Sequence, residues 1–232
     1  MGSPQGNHGA PRGILLNTNL LVYYQLPSQI AVEEHDKILS SFTSSIIDDL
    51  DKCGPLIVVE AQIDEIRNAL RDKLIERGVS REAKIKSASR LVKDFEELLE
   101  RLSQIHTVLY LEEDSELYRK AHGVYQRIKR DCHGKIKSRK SMQRDSMLIA
   151  VAGLYDAILV TRDKNLYKAV ECLHSQGSKE YSSIWIHVDS NRKTITVLSC
   201  TRIEPPCILT RINRILVDLN MNWQIKHNRG CQ

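Results

Sequence analysis

Short, continuous apolar runs alternate along the chain with segments in which apolar residues recur every three or four positions. Because the continuous runs are too short for helices, they predict buried strands. The predicted strands are Ile14–Leu16, Leu56–Val59, Ile105–Leu111, Ala157–Thr161, Ile184–Val188 and Thr194–Leu198. The last two flank the turn-forming residues Asp189–Arg192, which predicts a hairpin.

The periodic segments predict helices that each place one apolar stripe against a core. They lie within Val32–Leu50, Ile63–Leu74, Ser80–Leu102, Asp114–Ile128, Met147–Tyr155, Asn165–Leu173 and Ile208–Leu219. Asp114 and Asp145 precede two of these helices and are predicted as N-caps. Met147–Tyr155 is apolar on nearly all sides, so that helix is expected to be buried.

Alternating strands and helices predict an α/β fold, specifically a three-layer α/β/α sandwich around a central, mainly parallel sheet. Residues 1–13 read as a flexible tail, and 14–200 as one domain with a helical and basic insertion around 80–144. Residues 201–232 form a C-terminal extension with one helix, and its last part, 222–232, reads as a polar tail.

The apolar positions between Ile85 and Leu102 alternate three and four apart, as in a short coiled-coil seam. Two interpretations remain open. The seam packs on its own domain, or it is the contact surface of a dimer or of another protein partner. The C-terminal extension is a second candidate for such a contact.

The composition excludes several classes of protein. The chain has 232 residues, of which 41% are hydrophobic and 27% are charged, so it is neither disordered nor fibrous. No apolar run approaches the roughly 18–20 residues that a membrane span needs. The first 13 residues contain no apolar stretch, so no secretory signal is expected.

The six cysteines contain no C-x-x-C pair, and Cys132-His133 has no second metal-binding pair near it, so structural zinc is not favoured. We expect reduced thiols in a cytoplasmic or nuclear protein. The signatures of serine hydrolases, P-loop enzymes and classical dinucleotide-binding proteins are absent from the sequence.

The net charge is +5, and it is concentrated in one segment. Between Arg127 and Arg144 there are eight lysines and arginines and one acid, Asp131. A local excess of positive charge is typical of a surface that meets an anion, although a solvated loop is an equal alternative.

Polar side chains stand where the predicted strands end. Asn17 ends the first strand, and Asp163 follows the strand Ala157–Thr161. Glu65 lies beside the apolar stripe of the helix after Leu56–Val59, and Asp145 opens the buried helix. Ligands bind at the carboxyl ends of parallel strands, and three carboxylates with an amide suit Mg²⁺ or Mn²⁺. Taken singly, each residue is more typical of a cap, a turn or a solvated helix position.

Four segments resemble the motifs of PIN-domain ribonucleases. They are Ile14-Leu15-Leu16-Asn17-Thr18-Asn19-Leu20-Leu21, Val58–Arg67 with Glu65 at its acidic position, Asp145-Ser146-Met147-Leu148-Ile149-Ala150, and Ile158–Leu166 with its Thr161-Arg162-Asp163 ending. The resemblance covers about residues 14–190. The spacer between Glu65 and Asp145 and the C-terminal extension are longer than in compact, toxin-type members of the family.

The resemblance implies a metal-dependent endoribonuclease that hydrolyses RNA phosphodiesters with Mg²⁺ or Mn²⁺. Asn17, Glu65, Asp145 and Asp163 would be its catalytic and metal-binding positions, and Thr161 and Asn19 would orient them. The family expects Asp where this chain has Asn17, a neutral and poorer ligand for a hard dication. That residue is either an inactivating substitution or a natural one, and in both cases it predicts weakened or absent catalysis.

The same resemblance implies that the basic segment contacts RNA, because it leads directly into Asp145. The expected RNA-binding residues are Lys129, Arg130, Lys135, Lys137, Arg139, Lys140 and Arg144. Two other hypotheses stay open: a catalytically silent module that binds RNA or protein as a scaffold, and a phosphatase or DNA nuclease that uses the same carboxylates. The sequence leaves open the RNA target and a role as toxin, in RNA maturation or in defence.

Overall fold

The computed structural model describes residues 13–24, 33–48, 54–76, 80–104, 108–112, 114–132, 142–201 and 206–229. The predicted tail over 1–12 lies outside the described residues, whereas Gly13 begins the first strand. Residues 133–141, the middle of the basic segment, also lie outside them.

The described residues form seven strands and eight helices. The strands are β1 (Gly13–Leu16), β2 (Leu56–Val59), β3 (Val108–Leu111), β4 (Ala157–Thr161), β5 (Ser182–Asp189), β6 (Thr194–Cys200) and β7 (Gln224–Arg229). The helices are α1 (Thr18–Tyr24), α2 (Glu34–Ile47), α3 (Glu60–Glu76), α4 (Arg81–Gln104), α5 (Ser115–Asp131), α6 (Met142–Leu154), α7 (Lys164–Ser175) and α8 (Pro206–Asp218).

The strands form one sheet in the order β3-β2-β1-β4-β5-β6-β7. The first five strands of this order are parallel to one another, β5 and β6 form the predicted antiparallel hairpin, and β6 pairs in parallel with β7. Helices cover both faces of the sheet. The predicted three-layer α/β/α sandwich with a mainly parallel sheet is therefore confirmed.

The central strands face two hydrophobic cores because their side chains alternate between the two faces of the sheet. In β1, Ile14 and Leu16 pack with helices α1 to α4 and α8, whereas Leu15 packs with α5, α6 and α7. Strands buried on both faces read as continuous apolar runs, which is why these segments were recognisable in the sequence. No helix in the described ranges is long and apolar enough to cross a membrane.

The apolar seam of α4 packs on its own domain. Ala88, Val92, Phe95 and Leu99 are all buried in the core that also contains the apolar stripe of α3. Ile85, at the start of the seam, is 46% exposed. Of the two interpretations of this seam, the structure supports packing within the domain.

Three local predictions are wrong. Helix α1, which is absent from the predicted helices, follows β1 directly, and β7 occupies most of the expected polar tail. Asp145 lies in the first turn of α6, which begins at Met142, and is therefore not the N-cap. Tertiary partners stabilise α1, which is only seven residues long, and β7, which is polar and pairs with β6, so their intrinsic propensity does not show in the sequence.

The expectation of reduced thiols is also wrong. Cys132, which caps the end of α5, forms a disulfide with Cys172 in α7, and both residues are buried. Cys200 is disulfide-bonded as well. The Cys132–Cys172 bond joins two helices of the same layer across 40 residues of sequence, a pairing that residue spacing alone does not reveal.

Replacement of Phe95 by Ala tests the packing of α4. Phe95 is fully buried, so Phe95→Ala should lower the free energy of unfolding by about 3–5 kcal/mol in urea titrations. The matched control Ile85→Ala, at the exposed end of the seam, should change it by about 0.5 kcal/mol or less. An unchanged unfolding free energy, together with a lost oligomer in sedimentation, would assign the seam to a partner.

The disulfide predicts a redox-dependent stability. Closing a loop of this length should stabilise the protein by about 3–4 kcal/mol, because the bond restricts the unfolded chain. Reduction with dithiothreitol should therefore move the urea midpoint of the original chain more than that of a Cys132→Ser/Cys172→Ser variant. Equal shifts in both proteins would show that this bond contributes nothing.

Candidate functional site

The candidate site lies at the carboxyl edge of the sheet, beside β1. From β1 the chain builds β2 and β3 on one side of the sheet and, later, β4 and β5 on the other. Such a reversal of strand order opens a crevice between the two neighbouring strands, and ligands of α/β sheets bind there. The polar residues that follow β1 and β4 therefore border this crevice.

Asn17 and Asp163 meet at the hydroxyl of Thr161. The Asn17 side-chain nitrogen donates to Thr161 Oγ1 at 3.0 Å, and the Asp163 backbone N–H donates to the same oxygen at 2.9 Å. Asn17 is 7% exposed and Thr161 is fully buried. Because the amide donates here, Thr161 holds Asn17 as a neutral hydrogen-bond partner at the end of β1.

Asp163 has a structural role in the described chain. Its Oδ1 accepts hydrogen bonds from the backbone N–H groups of Asn165 at 2.7 Å and Leu166 at 3.3 Å. These are the bonds of an N-cap, and they fix the start of α7. Any metal-binding role of Asp163 would be additional to this cap.

Glu65 is held at the same edge by two contacts. Thr18 Oγ1 donates to Glu65 Oε2 at 2.6 Å, and Arg144 Nη1 lies 3.5 Å from Glu65 Oε1. Thr18 directly follows Asn17, so its hydroxyl ties Glu65 to the end of β1. Arg144 is 79% exposed, and its ion pair is therefore weakened by solvent.

Asn19 and Gln62 connect the strand ends. Asn19 Oδ1 lies 3.5 Å from the backbone N–H of Arg162, and the Asn19 backbone N–H lies 3.4 Å from Asn17 Oδ1. Gln62, which is buried, donates to the carbonyl of Leu16 at 2.8 Å and accepts from the N–H of Val59 at 3.0 Å. Gln62 thereby joins the ends of β1 and β2.

Glu65 and Asp145 line one open pocket of about 650 Å³. The pocket is formed by the end of β2 and by residues of α3, α5 and α6. Asp145 lies in the first turn of α6, where the helix dipole favours a negative charge.

The four predicted site residues thus gather at one edge, in two adjacent pairs. Asn17 and Asp163 share Thr161, Glu65 and Asp145 share the pocket, and Thr18 connects the pairs. The three carboxylates do not form a closed group: across the described ranges, ligand atoms within 4.8 Å of one another occur in a different set of residues. The atoms that could bind a metal ion are all oxygens, the type of ligand that Mg²⁺ and Mn²⁺ prefer.

That different set consists of Glu33, His35 and Asp36, at the start of α2, and it could hold a metal ion. Both ring nitrogens of His35 lie 3.0 Å from a carboxylate oxygen, one from Glu33 and one from Asp36. Lys73 Nζ also lies 3.8 Å from Asp36. A metal ion here would compete with this network of ion pairs. The sequence analysis missed the group, although Glu-x-His-Asp is visible in the chain.

The predicted RNA-binding residues divide into two groups. Lys129 and Arg130 are exposed in the last turn of α5, and Arg144 is exposed beside Glu65. A hydrogen bond from Arg130 keeps the pKa of Asp131 below its ordinary value. The other predicted residues, Lys135, Lys137, Arg139 and Lys140, lie outside the described residues.

Arg162 is a further cation at this edge, and the charge pattern did not reveal it. It follows β4, hydrogen-bonds to the hydroxyl of Tyr23, and its guanidinium lies 5.0 Å from the centre of the Tyr23 ring. The Trp185 side chain donates to its carbonyl at 2.8 Å. These contacts hold the Arg162 side chain against Tyr23, at the end of β4.

Comparison of the chain with family models and with curated protein sequences found no match. The functional interpretation therefore depends on the residues and on their geometry.

Stability measurements can separate the cap of Asp163 from its charge. Asp163→Ala removes the cap and should lower the free energy of unfolding by about 1 kcal/mol. Asp163→Asn keeps a side-chain acceptor and should leave stability within a few tenths of a kcal/mol. If both variants lose the same stability in urea titrations, the charge of Asp163 matters more than its cap.

Proposed function

We propose that this chain is a metal-dependent endoribonuclease of the PIN type, weakened or silenced by Asn17. The observation that carries the proposal is the convergence of the motif residues beside β1. Glu65, Thr18, Asn17, Thr161 and Asp163 are joined by hydrogen bonds at the edge where the strand order reverses.

Glu65, Asp145 and Asp163 would hold Mg²⁺ or Mn²⁺, with Thr161 and Asn19 orienting the loop ends around them. When bound, such an ion supplies Lewis acidity for water and for the scissile phosphate. The side chains of the protein would then position the RNA relative to that ion. Arg144, which is paired with Glu65, and Arg162, which directly precedes Asp163 in the sequence, would donate hydrogen bonds to the phosphates on either side of the cut.

Asn17 explains why activity would be low. It has the shape of an aspartate, but it contributes no negative charge, and its amide nitrogen is engaged with Thr161. A carboxylate at this buried position could only accept, so the Thr161 hydroxyl would have to turn and donate to it. Without a cation, a buried charge of this kind costs stability.

Lys129, Arg130 and the remaining cations of the 127–144 segment would bind RNA through its phosphates. Such contacts are independent of sequence and weaken steeply with salt. RNA is therefore the partner that we propose. Protein contacts, including a homodimer, are proposed only for the C-terminal extension, because α4 buries its seam and α8 leaves Val217 78% exposed.

The alternative is a catalytically silent module that binds RNA or protein as a scaffold. One observation favours it: the amide of Asn17 satisfies the buried Thr161 hydroxyl without any charge. The chain would then keep the arrangement of residues at the carboxyl edge of the sheet but would not cleave RNA.

An RNA substrate favours a cytoplasmic location. The buried disulfide opposes it, because disulfides persist mainly in oxidising compartments and, inside cells, in hyperthermophiles. Whether the Cys132–Cys172 bond stabilises the protein, as the dithiothreitol experiment measures, therefore bears on the location of the protein.

Restoring the carboxylate tests the proposal. Asn17→Asp should cut a mixed RNA panel with Mn²⁺ or Mg²⁺ and should be inactive in EDTA, whereas the original chain should cut at least about 100-fold more slowly. In addition, Mn²⁺ should raise the melting temperature of Asn17→Asp by several degrees, because a metal that binds the folded state stabilises it.

Two controls accompany this experiment. Asn191→Asp makes the same change in the exposed turn between β5 and β6 and should neither cut RNA nor respond to Mn²⁺. Asn17→Asp/Asp145→Asn should lose both the cleavage and the thermal shift. RNA retained at low salt without cleavage by any form, and no Mn²⁺ response, would leave the scaffold as the function.

A further inference from the structure

The pocket that contains Glu65 and Asp145 extends beyond the carboxylates, and its far wall is aromatic. Tyr118 and His122 lie one turn apart on α5 and both line the pocket. Tyr118 is 52% exposed, so a large part of its ring is accessible to solvent. His122 is exposed too, 6.5 Å from the ring of Tyr125 and 3.2 Å from the amide of Gln126. Two aromatic rings therefore border the open side of the pocket.

The other residues that line the pocket can contact the faces and the edges of a flat heterocycle. Met147 supplies some apolar surface, and the amides of Asn68 and Gln143 supply hydrogen-bond donors and acceptors. The volume of about 650 Å³ is within the range of sites for small ligands and is open enough for one nucleotide.

The charges in the pocket select a neutral group over an anion. Three carboxylates line it, from Asp64, Glu65 and Asp145. The two arginines of the lining are engaged: Arg67 Nη1 is 2.6 Å from Asp64, and Arg144 is paired with Glu65. A phosphate inside would meet these carboxylates, whereas a base carries no charge and has a π face for Tyr118.

We propose that Tyr118 and His122 form a stacking subsite for one unpaired nucleobase, directly beside the carboxylate edge. Its link to RNA rests on the proposed function, but Tyr118 and His122, which form the subsite, lie outside the four motif positions. A base held against α5 would leave its own phosphate at the rim of the pocket, on the side of the exposed Arg144. Tyr118 and His122 would thereby position one nucleotide beside the scissile bond.

The test is calorimetric titration of the full chain with adenosine 5′-monophosphate in EDTA, so that no cleavage occurs. Tyr118→Ala should weaken binding about 5- to 150-fold, the effect of losing one base–aromatic stack. Tyr118→Phe keeps the ring face and should bind within about twofold of the original chain. Ribose 5-phosphate, which lacks the base, should bind weakly and equally to all three proteins.

Matched variants keep the result interpretable. Tyr155→Ala removes a tyrosine that is 38% exposed at the end of α6, ahead of β4 and so at the opposite edge of the sheet, and it should leave binding unchanged. If Tyr118→Ala fails to fold by circular dichroism, His122→Ala provides the second measurement and should weaken binding at least about threefold.

Three results would overturn the subsite: no saturable binding of millimolar adenosine monophosphate, equal affinity in Tyr118→Ala, or equal affinity for ribose 5-phosphate. The two proposals fail separately. Tyr118-dependent nucleotide binding without cleavage by Asn17→Asp keeps the subsite and removes the nuclease. Metal-dependent cleavage with Tyr118-independent binding keeps the nuclease and removes the subsite.

Discussion

Strand β1 is the element on which the rest of the structure depends. It is four residues long, buried throughout, and paired in parallel with β2 on one side and β4 on the other. A shift by one residue would exchange the two cores that its side chains enter, so its register is strongly determined. Leu16 opposite Val160 then places Asn17 beside Thr161, and the Asn17 N–H donates to the Val160 carbonyl at 2.9 Å. The geometry of the candidate site is thus a consequence of core packing.

The edge beside β1 is buried, and its polar groups are hydrogen-bonded to one another. Asn17, Thr18, Gln62 and Thr161 are all buried, and each contacts a partner on a neighbouring strand or helix. Buried polar groups without partners are costly, so this network stabilises one arrangement of the strand ends. A neutral Asn17 fits the network without a cation. Stability and metal chemistry therefore favour different residues at the same position.

Contacts between α5 and the elements around it hold Tyr118 and His122, the aromatic residues of the pocket, in place. The Cys132–Cys172 disulfide joins α5 to α7. Arg127 of α5 also hydrogen-bonds to Ser178 and lies 3.6 Å from the carboxylate of Glu180. Burial raises the pKa of Tyr181, which lies beside Arg127. These contacts fix the position of α5, and with it the position of Tyr118 relative to Glu65 and Asp145.

The sequence by itself determined the sandwich, because doubly buried strands and amphipathic helices leave strong periodic patterns, as in Leu56–Val59 and α4. It also pointed to Asn17 and Asp163, which follow strands, and to Glu65 and Asp145, which lie in the first two turns of helices. Only the tertiary structure decided the short elements α1 and β7, the disulfide, the roles of Thr18 and Gln62, and the pairing of the site residues. Those features depend on contacts between segments far apart in the chain, such as Asn17 with Thr161, 144 residues away. Local patterns contain no information about such distances, whereas packing of the two cores determines them.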